Sequence, residues 1–192
     1  MPIKWNHYYS RLLLQSGWNI KAPEFLVGLA LLMLFGCGAG WSLAGSVGAV
    51  VVGELVFLIG HFMLHRAVEA RGKKFTAQLS DALVLIANSL RSGFSFLQAV
   101  ELVSREMQPP IAQEFARLLN EMNLGASADD ALEGLTQRVA SMELELVVTA
   151  VMIQRQVGGN LAEVLDTIAE TIRERARMRR EISALTAQGR MS

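Results

Sequence analysis

The stretch Ile153–Ser192, IQRQVGGNLAEVLDTIAETIRERARMRREISALTAQGRMS, joins two helical segments through a glycine pair. Gly158 and Gly159 are poor helix formers and Asn160 can cap a new helix, so the spacing predicts one helix ending near Val157 and another beginning at Leu161. Leu161, Val164, Leu165, Ile168 and Ile172 then recur at helical spacing, and Arg173, Arg175, Arg177, Arg179 and Arg180 make the continuation basic. One helix thus starts in a protein core and ends cationic.

Upstream of that corner the pattern is helix and sharp stop, repeated. Leu79, Ala82, Leu83, Ile86, Ala87 and Leu90 form one apolar stripe that ends at Ser92 and Gly93. Ser95 with Gln98 is a capping-box pair, and Phe96, Leu97, Val100 and Val103 carry the next stripe to Pro109 and Pro110. A third helix starts near Ile111 with Phe115, Leu118, Leu119 and Met122 on its core face, and Gly125 stops it. Ser127 and Asp130 open a fourth, with Ala131, Leu132, Leu135 and Val139, and Ser141 caps a fifth that is apolar nearly all round. The sixth lies beyond Gly159. A weak repeat runs through these corners: Gly93-Phe94-Ser95 returns as Gly125-Ala126-Ser127 after 32 residues, and Gly159 comes 34 later. That period is close to tetratricopeptide units, but their Trp, Leu-Gly and Tyr positions are missing, so a compact six-helix bundle fits better than a solenoid.

The N-terminal third has a different character. From Phe25 to Leu64 the ionisable side chains besides Cys37 are Glu54 and His61, and a helix needs roughly 20 apolar residues to cross a bilayer. The segment accommodates two spans, at about residues 25–41 and 43–64, with Gly36, Gly38 and Gly40 marking the end of the first. The connection carries no Lys or Arg. Lys4, Arg11 and Lys21 on one flank and Arg66, Arg71, Lys73 and Lys74 on the other then place both ends of the hairpin in the cytoplasm. Residues 1–24, with Tyr8, Tyr9, Leu12 to Leu14 and Trp18 among scattered basic residues, suit an amphipathic helix lying along the membrane surface; a disordered leader is the alternative. Leu34-Phe35-Gly36-Cys37 is a poor lipoprotein cleavage box, since Phe is too large for its place and the next apolar run would be unexplained.

Composition agrees with a mixed chain: 192 residues, 52% hydrophobic, mean hydropathy +0.32, and a formal net charge of zero. Neutrality hides a dipolar layout, because Asp81 to Glu170 holds 13 acidic against 5 basic residues and Arg173 to Arg190 holds six Arg against two Glu. The sole cysteine, Cys37, excludes an intrachain disulfide.

The ordered string GGNLAEVL, then TIRERARMRREISALTAQGRMS, together with Pro23-Glu24-Phe25 ahead of the apolar run, resembles the F-type inner-membrane platform proteins of type II secretion. Within that GspF/PilC-like superfamily it is most similar to the TadB-like members of Flp/Tad pilus assembly. The resemblance runs from about Ser10 to Ser192 and is densest from Phe75 onward. It implies a bacterial inner-membrane, multi-pass protein that assembles as a homo- or hetero-oligomer with a TadC-like platform protein. It further implies coupling to a cytoplasmic hexameric ATPase for pilin extraction, and further membrane spans after the region that ends at Ser192.

The resulting expectation is an all-α fold: an interfacial segment at 1–24, a membrane hairpin at 25–64, and a cytoplasmic helical domain at 65–192 that runs into a basic C-terminal helix. Gly93, Gly125, Gly158, Gly159 and Asn160 are its structural corners. Asp129, Asp130 and Glu133 are candidate partner contacts on the acidic body, and the five arginines from Arg173 to Arg180 are candidate contacts to anionic lipid.

Searching for chemistry turns up no catalytic constellation. There is no Gly-Lys-Ser/Thr phosphate loop, the glycine pair comes after a helix, and His7, His61 and His65 leave the helical domain without the usual base for a Ser or Cys nucleophile. Glu143, Glu145, Glu163, Asp166 and Glu170 read as solvated faces or partner contacts. His61, His65 and Glu69 share a helical face at a spacing that can hold zinc, but HFMLH lacks the metalloprotease glutamate, so neither metal nor cofactor is expected. Nucleic acid is not expected as a partner either: the body is acidic, and no aromatic residue occurs after Phe115 to stack a base. Two other classes stay open, a membrane-anchored signalling or adaptor protein and a small transporter built around Glu54.

Overall fold

The computed structural model describes residues 22–139 and 141–191, and every element among them is a helix. The amphipathic segment expected at 1–24 lies outside these residues up to position 21, as does the side chain of Cys37. The helices are α1 (Ala22–Arg91), α2 (Phe96–Glu106), α3 (Ile111–Asn123), α4 (Ala128–Arg138), α5 (Met142–Val157) and α6 (Leu161–Met191). By internal packing the chain divides into residues 1–72 and residues 73–192.

In the first unit α1 stays helical through Gly36, Gly38, Gly40 and Ser42, where the sequence places the end of one span and the connection to the next. Glycine weakens a helix by only about 1 kcal/mol, which surrounding apolar sequence readily offsets. The departure from helical geometry falls instead at Gly45, with φ +64. The segment from Gly45 onward is long and apolar enough to cross a membrane, with a window of mean hydropathy 2.1 of which 12% is buried. Exposed Leu55, Leu58, Ile59, Phe62 and Met63 give it the apolar surface that lipid accepts and water does not.

The second unit contains the C-terminal part of α1 and helices α2–α6 around one core. Phe75, Leu79, Leu83 and Ile86 from α1 meet Val100, Val103, Phe115, Leu118, Leu132, Leu135, Leu144, Val148, Val151, Leu165 and Ala169, all buried. These are the apolar stripes spaced three and four apart, so each helix turns one face inward. Short corners make successive helices neighbours, and α2 packs on α3, α3 on α4, α4 on α5 and α5 on α6. The ion pairs Asp81–Arg173, at 2.9 Å, and Arg91–Asp166 run in opposite sense along α1 and α6 and fix that pair as antiparallel.

Candidate partner-binding surfaces

Three corners organise the bundle, and two share one construction. At the end of α1 the Gly93 N–H donates to Leu90 O and the Phe94 N–H to Ser89 O; at the end of α3 the Gly125 N–H donates to Met122 O and the Ala126 N–H to Glu121 O. Both are Schellman closures, with glycine at φ +87 and +99. Ser95 and Ser127 then cap the next helix by accepting from the N–H of Gln98 and Asp130, and Gln98 completes a capping box back to Ser95. The third corner differs. Gly158 has φ 77 and ψ 155 and donates to Gln154 O, Gly159 has φ +138, and Asn160 Oδ1 accepts from the N–H of Glu163 at 3.3 Å. The 32-residue repeat therefore describes a shared motif at the first two corners only.

Because helices alternate in direction, these corners fall at one end of the bundle. Arg155, in the last turn of α5, bears out their proximity: it pairs with Asp129 at 2.9 Å in the first turn of α4 and lies over the Phe96 ring, 5.9 Å from its centroid, at the start of α2. Phe94, Leu124 and Val157 are exposed at the same corners.

The acidic residues singled out by sequence are not equivalent. Asp129 is held by Arg155, and Asp130 accepts a 2.6 Å hydrogen bond from the Ser127 hydroxyl as part of the α4 cap. The Glu133 carboxylate is exposed and makes no bond among the described residues, so of the three it is the one open to a partner. The arginine run divides in the same way. Arg173 and Arg179 clamp α6 to the bundle through Asp81 and Glu143, Arg177 pairs with Glu181 four residues on, and Arg180 Nε donates to Ala176 O. Arg175 makes no bond among the described residues. Every residue from Arg173 to Thr186 is exposed.

Two polar constellations carried no sequence signal. Gln78 of α1 spans the α2–α3 corner, donating to Gln108 O at 3.1 Å and accepting from the Ile111 N–H at 3.3 Å, which supplies the cap that Pro110 cannot. Arg138 of α4 donates through Nε to Glu114 at 3.2 Å and through Nη1 to Glu121 at 2.8 Å, with the Arg138 and Glu114 side chains 13% and 3% exposed. Their separations, 30 to 33 residues for Gln78 and 24 and 17 for Arg138, exceed any helical period. In the first unit, the His61 and His65 rings meet edge to face with centroids 4.5 Å apart, and no group of three metal-ligating side chains exists among the described residues.

Residues 82–192, more than half of the chain, match the family model for type II secretion system (T2SS), protein F. The chain belongs to the protein F family. No curated protein and no solved structure matches it. The protein F family is one of platforms for type II secretion and pilus assembly, and the matched region begins at Ala82 within α1 and takes in all three glycine corners.

Proposed function

We propose that this protein F family chain is a TadB-like, non-enzymatic inner-membrane platform of a Flp/Tad-type pilus or type II secretion-like machine. In this reading it couples a cytoplasmic ATPase to pilin extraction. The observation that carries the proposal is the protein F match over residues 82–192, directly behind an apolar segment that begins at Gly45. A platform must hold a rigid body against a membrane while a motor pulls on it. The closed core and the capped corners of residues 73–192 supply such a body.

The proposed topology has two membrane crossings within residues 25–64, with the basic flanks and the helical body in the cytoplasm. A non-enzymatic role fits the occupations of the polar groups: Asp129, Asp130, Asn160, Glu114 and Glu121 serve in caps and ion pairs. The partners proposed from the resemblance are a TadC-like platform protein, the ATPase, membrane lipid and a pilin. Deleting the gene in its native host tests the reading. Loss of surface fibres or secreted proteins, restored by the chain in trans, is the expected result; intact fibres with an altered signalling response would favour an adaptor.

A further inference from the structure

Beyond Ile172 the helix continues to Met191, and every side chain described there, from Arg173 to Thr186, is exposed. Isolated helical segments of this length are marginal in water, because most helical stability in proteins comes from packing an apolar face. Such a face is present. Met178, Ile182 and Leu185 are 48%, 63% and 69% exposed and recur at i, i+4 and i+7.

That spacing matches successive d, a and d positions of a two-stranded coiled coil. With Ile182 at position a and Leu185 at d, Arg175 and Met178 take the preceding a and d, Glu174 falls at g and Arg179 at e. A β-branched residue at a with Leu at d favours two parallel strands, and a charged residue at one a position sets register. The flanks specify orientation. In a parallel pair the g residue of one helix meets the e residue of the next heptad in the other, which brings Glu174 against Arg179; antiparallel pairing would set like charges together.

The bundle leaves this seam clear and widens it. Glu143 and Arg179 face each other across the antiparallel helices α5 and α6, so the residues immediately before them, Met142 and Met178, fall on the same side of the pair. Met142 and Leu146, 72% and 52% exposed, extend the apolar surface there. Arg179 gives one guanidinium nitrogen to Glu143 and is still 71% exposed, so its other N–H donors stay open to a partner. We infer that the C-terminal half of α6 pairs in parallel with the same helix of a second copy of this chain, through Met178, Ile182 and Leu185 and a Glu174–Arg179 ion pair across the interface.

The test is disulfide trapping in the full chain, in native membranes, after Cys37→Ser removes the native thiol. Leu185→Cys at a seam position should give a covalent dimer on mild oxidation, whereas Arg180→Cys on the outer face should not; Met178→Cys is a second seam reporter if the first variant fails to fold. Adding Arg179→Glu should reduce the yield of dimer several-fold, and adding Glu174→Arg to that variant should restore it. A role for Arg179 confined to Glu143 would not be rescued in this way. Equal trapping at 180 and 185, no trapping at either seam position, or no rescue by the charge exchange would overturn the inference. So would protection of the Leu185→Cys thiol by anionic vesicles without any dimer, since lipid would then cover the stripe.

Discussion

Arg138, in the last turn of α4, reaches Glu114, in the first turn of α3, with Nε 3.2 Å from the carboxylate and the Glu114 side chain only 3% exposed. Gly134 makes room for this, since a Cβ there would stand 3.0 Å from the Arg138 guanidinium. Removing the arginine takes the charged partner from a buried carboxylate, a loss of about 3 kcal/mol or more. Arg138→Met should therefore lower the stability of the helical domain by that amount in denaturant titration, and a loss below about 1 kcal/mol would show that Glu114 is solvated some other way.

The Gly158–Gly159 corner makes a second prediction. Gly159 has φ +138 and Gly158 sits at φ +77 with an extended ψ, backbone conformations that L side chains rarely adopt. Strain of this kind costs roughly 1–3 kcal/mol per residue for any L side chain. The double change to alanine should lower the melting temperature of the domain although alanine is the better helix former; an unchanged or raised value contradicts the assignment.

Gln78 provides a third. Its amide satisfies both the Gln108 carbonyl and the Ile111 N–H at a corner where proline offers no cap. Gln78→Ala should cost about 1 kcal/mol per hydrogen bond lost, and Gln78→Glu, which keeps the acceptor for Ile111, should cost less. Hydrogen exchange at the Ile111 amide reports the effect directly, with faster exchange in the alanine variant.

Local spacing made part of this legible in the sequence. Helix identities, the Ser95–Gln98 capping box and the inward faces of Leu79, Val100, Leu118 and Leu165 follow from apolar periodicity, which encodes them within one or two turns. The Gln78 and Arg138 contacts join residues far apart in sequence, and a lone Gln or Arg on a helix gives no signal of its partner. The reach of α1 was also hidden. Nothing between Leu64 and Phe75 breaks a helix except Gly72, so no stop marks the end of the apolar segment, and the glycines at 36, 38 and 40 stay helical while Gly45 takes the positive φ.

Separate charged surfaces give a fourth prediction. Glu133 is exposed without a bond among the described residues, whereas Asp129 and Asp130 support Arg155 and the α4 cap. Glu133→Lys should weaken motor binding in a salt-sensitive way and leave folding intact, whereas reversing Asp129 or Asp130 should also lower stability. Changing Arg177 and Arg180, which lie off the α6 seam, to Gln should reduce affinity for anionic vesicles by about 1 kcal/mol per arginine close to the surface and spare motor binding. If both sets of variants moved both assays equally, the division of surfaces would be wrong.

The central claim, that this protein F family member is the platform a cytoplasmic motor works against, is tested most directly by affinity purification of the tagged chain from membranes of its native host. The expected result is recovery of the secretion or pilus ATPase together with a second platform protein, reduced by Glu133→Lys as salt is raised. Recovery of unrelated soluble regulators without the ATPase would contradict it and favour a membrane-anchored adaptor, and ion flux abolished by Glu54→Gln would contradict it in favour of a transporter.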